Sequence, residues 1–101
     1  MLQATVKKTD ISYFIGLTLS SIKVSEFTIS LFFGFDRQMD ITTHWELVNA
    51  TTNALIDRST PTKNREQFYL LKLIGTKLVR YTKTSYQVDI EFENNLKLIV
   101  Y

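Results

Sequence analysis

The stretch Tyr86-Gln87-Val88-Asp89-Ile90-Glu91-Phe92-Glu93-Asn94-Asn95-Leu96-Lys97-Leu98-Ile99-Val100 decides how the chain folds. Tyr86, Val88, Ile90 and Phe92 alternate with Gln87, Asp89, Glu91 and Glu93, the period-two pattern of a half-buried strand. Leu96, Leu98 and Val100 resume the alternation after the paired asparagines. Cross-strand partners must lie on one face. A two-residue turn at Asn94-Asn95 would set Lys97 opposite Phe92 and mix the faces. A three-residue loop, 93–95, pairs Phe92 with Leu96, Ile90 with Leu98 and Val88 with Val100. That loop needs a left-handed residue at its end, which Asn95 tolerates.

The same pattern recurs earlier in the chain. Ile15-Gly16-Leu17-Thr18-Leu19 resembles Ile74-Gly75-Thr76-Lys77-Leu78, a shift of 59 residues. The shift carries Phe27, Ile29, Leu31 and Phe33 onto Tyr86, Val88, Ile90 and Phe92, then falls to 57 for Met39 and Ile41 on Leu96 and Leu98. Each copy reads as a short helix, Ile-Gly and three strands. The second helix is expected over 64–73, with Thr60 at its N-cap, Pro61 at N1 and Gly75 as a left-handed C′ residue. In the first copy Thr9 or Asp10 caps one turn, Ile11-Ser12-Tyr13-Phe14, ending at Gly16. The apolar phase slips near Ser20-Ser21 and Val79-Arg80, which predicts a bulge in both copies. The first hairpin pairs Phe33 with Met39 across 34–38; a three-residue loop after Phe35 keeps the same faces. Residues 39–48 alternate as one strand, 49–53 read as a turn, 54–56 as an extra short strand, and 59–63 as a linker.

These readings give a mainly β (α+β) domain. Two pseudo-symmetric helix-β-β-β units form a curved sheet, a small sandwich or a partly open barrel. The chain of 101 residues is one domain, 1–101, with an internal duplication covering about 10–48 and 61–101. With 45% hydrophobic and 22% charged residues the balance is globular. There is no cysteine, which excludes disulfides, thiolate metal sites and cysteine nucleophiles and fits a reducing cytoplasm. No signal-like start and no apolar run of membrane-spanning length is present. The net charge of +2 is spread among acids, a mixed solvated surface rather than a nucleic-acid footprint.

No catalytic constellation stands out, and the chain is expected to be a non-enzyme without cofactor or metal. There is no Gly-x-Ser-x-Gly elbow, phosphate loop or dinucleotide fingerprint; Gly16, Gly34 and Gly75 are the only glycines. His44, the single histidine, shares a polar strand face with Asp40, Thr42 and Glu46. Imidazole beside carboxylates suits a metal or a small ligand, and Asp40, His44 and Glu46 form the alternative, metal-linked reading. The plainer reading is a solvated row. Lys77, Arg80, Tyr81, Lys83 and Tyr86 come closest to a nucleic-acid surface, and the acids of the next strand argue against it. Phe32, Ile99 and Tyr101 are apolar residues on otherwise polar strand faces. They lie under the short helices or form a patch for a partner or for a homodimer. Phe32, Asp40, His44, Glu46, Ile99 and Tyr101 are therefore the candidate partner-binding residues.

The order Ile-Gly, strand, Phe-rich strand, Trp45-Glu46-Leu47, Ile56-Asp57, Leu73-Ile74-Gly75 and Phe92-Glu93-Asn94-Asn95-Leu96 resembles a family of small, uncharacterised bacterial proteins over roughly 14–100. Its motifs are structural and transfer no catalytic residue. In size and style the chain also resembles bacterial toxin-immunity proteins. That resemblance implies a protein-binding module whose partner is a cognate toxin.

Overall fold

The computed structural model describes residues 2–6, 10–25, 28–59 and 69–101. The hairpin of residues 88–100 forms in the expected register. Strands β8 (Val88–Phe92) and β9 (Leu96–Val100) pair Val88 with Val100 and Ile90 with Leu98. Asn95 closes the loop in the left-handed region at φ 65°, and its N–H donates to the Phe92 carbonyl. Before β8 runs β7 (Leu78–Lys83), whose register slips between Leu78 and Arg80. The bulge expected near Val79-Arg80 is there, and it turns Arg80 outward while Tyr81 packs on the core.

Two sheets are built, and neither closes into a barrel. The first contains β1 (Leu2–Thr5), β2 (Ser21–Val24), β3 (Ile29–Phe32) and β4 (Arg37–Ile41), in the order β1-β4-β3-β2. The second adds β5 (Trp45–Asn49) and β6 (Leu55–Arg58) to the meander, in the order β6-β5-β9-β8-β7. Leu31, Met39, Leu47, Ile90 and Leu98, with no measurable exposure, belong to one apolar cluster that draws on both sheets. An apolar sheet face needs such a partner layer to be removed from water.

Three expectations need correction. The first hairpin pairs Leu31, not Phe33, with Met39, and the Phe33 N–H donates to the Arg37 carbonyl across the loop 34–36. A slip of two residues leaves every side chain on its face, so apolar alternation does not distinguish the registers. Residues 39–48 are not one strand: the chain leaves the first sheet after Ile41 and joins the second at Trp45. The helix-β-β-β units are also not present in that form. The helical pieces are 3-10 turns, Ser12–Phe14 and Tyr69–Leu73. The expected helix start at Thr60 and Pro61, and 64–68 of its body, fall outside the described residues. Moreover, β4 is flanked by the parallel strand β1 whereas β9 is flanked by the antiparallel β5. Beyond its first residue strand β1 buries Ala4, and Val6 is buried just after it, too short a pattern to read.

The sheets meet along a short backbone seam. Thr18 and Lys77 form an isolated antiparallel bridge. Around it the Gly16 N–H donates to the Leu78 carbonyl (2.7 Å) and the Gly75 N–H to the Leu19 carbonyl (2.8 Å). The Leu19 N–H reaches the Thr76 carbonyl and the Leu78 N–H the Leu17 carbonyl. Each glycine turns the chain from a 3-10 turn into this seam at positive φ, 87° at Gly16 and 88° at Gly75. A Cβ at either position would meet nothing within 4 Å, so the demand for glycine is conformational rather than steric. Gly75→Ala is therefore expected to lower unfolding free energy by about 1–2 kcal/mol in urea titrations. An unchanged midpoint would mean that the turn relaxes out of the left-handed region.

Candidate functional site

The six candidate residues divide between the outer faces of the two sheets. On the first sheet β3 and β4 face each other as Ser30 with Asp40 and Phe32 with Gln38. Phe32 is half-buried there. Asp40 is buried and accepts three side-chain hydrogen bonds: from Gln3 Nε2 (2.5 Å), Gln38 Nε2 (2.8 Å) and Ser30 Oγ (2.8 Å). Burial alone would raise its pKa. The bonds from Gln3, Gln38 and Ser30 outweigh burial and hold Asp40 below the ordinary carboxylate value. The carboxylate is thus saturated by amide and hydroxyl donors and ties β1, β3 and β4 together.

His44, Glu46, Ile99 and Tyr101 come together on the second sheet. Glu46 and Ile99 are cross-strand partners on β5 and β9, and Ile99 is also the partner of Asp89 on β8. An isoleucine thus stands between two carboxylate residues along one row of the outer face. Tyr101 follows β9; its phenol donates to Glu46 Oε1 (2.5 Å) and its N–H to the His44 carbonyl. The hydrogen bond to Glu46 raises the phenol's pKa, with burial and the charges of Glu46 and Asp89 adding to it. The His44 ring stacks on the Tyr101 ring, centroids 5.4 Å apart and 23° between planes. Beside them Val48 is buried although it lies outside the main core cluster, opposite Leu55 of β6 and Lys97 of β9.

One participant was not legible. Ser59, read as the start of a linker, lies where β6 ends, and its hydroxyl is hydrogen-bonded to His44 Nδ1. The Trp45 N–H donates to the same hydroxyl oxygen (3.3 Å), and the Ser59 N–H donates to the Trp45 carbonyl (2.9 Å). The register of β5 against β6 makes this contact, and that register contains an irregularity between Leu47 and Val48 that no alternation reveals.

The other groupings disperse. Asp40 sits in a different sheet from His44 and Glu46, and among the described residues no three His, Cys, Asp or Glu side chains gather where they could share a metal ion. Arg80 faces outward in an ion pair with Glu91. Tyr81, on the other face beyond the bulge, donates its phenol proton to Asp10 (2.8 Å). The basic and aromatic residues of 77–86 therefore do not share one face. Among the described residues no helix is long and apolar enough to cross a membrane. Comparison of the chain with protein-family models, curated proteins and solved structures finds no match.

The Asp40 cluster makes a pH prediction. A carboxyl whose pKa is lower in the folded than in the unfolded chain stabilises the fold fully above its unfolded value, about 3.9. That contribution is lost as pH falls through the lower, folded value. Asp40→Asn places an amide donor among three donors, and should cost about 1–3 kcal/mol at neutral pH. In denaturant titrations the gap between variant and wild type should narrow below about pH 4. A gap that stays constant into acid would show that charge at Asp40 is not what the three donors recognise.

Proposed function

We propose that this chain is a non-enzymatic, cytoplasmic protein-binding module, and that its partner docks on the outer face of the five-stranded sheet. The observation that carries the reading is the row Glu46, Ile99 and Asp89, bordered by Tyr101 and by Val48, which is buried outside the core. An apolar centre ringed by charges is the composition of an interface hot spot, where burial supplies affinity and charges supply orientation. The most concrete form is an immunity protein that neutralises a cognate bacterial toxin by covering its working surface. The resemblance to small bacterial proteins and to toxin-immunity proteins supports that form.

The internal duplication, about 10–48 and 61–101, belongs to the same proposal. Its support is the reciprocity of the seam: Gly16 donates to Leu78 as Gly75 donates to Leu19, with donors and acceptors both 59 residues apart. A duplicated scaffold leaves specificity to the positions where the copies differ, and His44 and Tyr101 are such positions.

The test is titration calorimetry against the product of the adjacent gene. Wild-type protein should bind it, and Ile99→Arg should weaken binding more than about tenfold, the loss of roughly 1.4 kcal/mol at a central anchor. Phe32→Arg, on the other sheet, should leave the affinity within about twofold. Absence of binding by the wild type, or equal affinity for Ile99→Arg, would contradict the reading.

A further inference from the structure

We propose that Ser59 is a nucleophilic hydroxyl activated by His44, and that activated carboxylic esters are the class of reagent it takes. The inference stands apart from the protein-binding reading and rests on the hydrogen-bond arrangement at the end of β6. The Ser59 oxygen accepts a bond from the Trp45 N–H and is hydrogen-bonded to His44 Nδ1; in the tautomer that carries the ring proton on Nε2, Nδ1 is the acceptor and the Ser59 proton points at it. A serine hydroxyl has one proton and two lone pairs, so this leaves one lone pair on Oγ for attack. Tyr101 holds His44 at two points: its ring stacks on the imidazole, and its N–H donates to the His44 backbone carbonyl. Tyr101 is in turn fixed by its phenol bond to Glu46. A nucleophile within hydrogen-bond reach of a base that a third group orients is the arrangement used in covalent catalysis. His44 is exposed and Ser59 half-buried, so a small electrophile can approach from solvent.

In the step itself, Ser59 Oγ forms a bond to the ester carbonyl carbon while its proton passes to His44 Nδ1. The tetrahedral adduct collapses, the bond to the leaving aryl oxide breaks, and the aryl oxide departs with the electron pair. His44 then releases the proton to solvent, leaving an O-acyl serine. Tyr101 and Glu46 are positioning residues that act through the imidazole.

The test uses p-nitrophenyl acetate, with release of p-nitrophenolate followed by absorbance and the acetyl group located by peptide mass mapping. In the wild type the acetyl group should map to Ser59. His44→Gln should slow labelling of Ser59 at least about tenfold. Tyr101→Ala should slow it as well, and Tyr101→Phe, which keeps the stacked ring but loses the phenol bond to Glu46, should restore part of the rate. Ser59→Ala should carry no acetyl group at this peptide. Acetyl found on lysines or on His44 but not on Ser59 in the wild type would overturn the proposal without recourse to any variant. So would a rate at Ser59 that His44→Gln leaves unchanged.

Discussion

The seam at Thr18 and Lys77 is the constraint on which the rest of the molecule depends. Each sheet on its own is an open layer with one apolar face, and four or five short strands cannot hide that face alone. The backbone bonds at Gly16, Leu19, Gly75 and Leu78 bring the starts of β2 and β7 together and set the two apolar faces on one core. Phe14, from the turn entering the seam, lies edge-on to Phe33, the residue after β3, ring centroids 5.2 Å apart. Both glycines are needed at left-handed φ because the chain must leave a 3-10 turn and enter antiparallel pairing within one or two residues.

Given the seam, the polar residues complete what the apolar ones leave open. Alternation fixes which face a residue takes, and a strand displaced by two positions satisfies it equally well. In the first sheet the observed displacement is the one that sets Ser30 opposite Asp40 and brings Gln38 and Gln3 onto the same carboxylate. A different register would leave a buried carboxylate short of donors, which costs more than a lost apolar contact. The parallel strand β1 is held at its edge by the same group.

The parts that were legible from the sequence follow the same division. The β8–β9 register was readable because a two-residue turn would mix the faces, whereas a three-residue loop keeps Phe92 and Leu96 on one face and Asn95 suits its end. The bulge at Val79 was readable because it flips the apolar phase. The register of β3 on β4, the break between Ile41 and Trp45, and the four-residue strand β1 were not, since none of them changes the phase of the apolar pattern or extends it far enough. Three members of the candidate site, Glu46, Ile99 and Tyr101, could be placed on an outer face from alternation. Their company could not: Asp40 was separated from them by the sheet crossing, and Ser59 was brought to His44 by the β5–β6 ladder, whose irregularity has no signature in the residues.

The outer face of the second sheet thus inherits its geometry from pairing decisions made elsewhere, and its chemistry from a handful of residues that the core does not need. Amide hydrogen exchange of the four seam donors, Gly16, Leu19, Gly75 and Leu78, tests most directly whether the two sheets stand or fall as one unit. If the seam holds the sheets on a single core, these amides exchange only through global unfolding, with the same protection as the amides of β8 and β9. Exchange of the seam amides orders of magnitude faster than β8 and β9 would contradict it, because the sheets would then open without the core being lost.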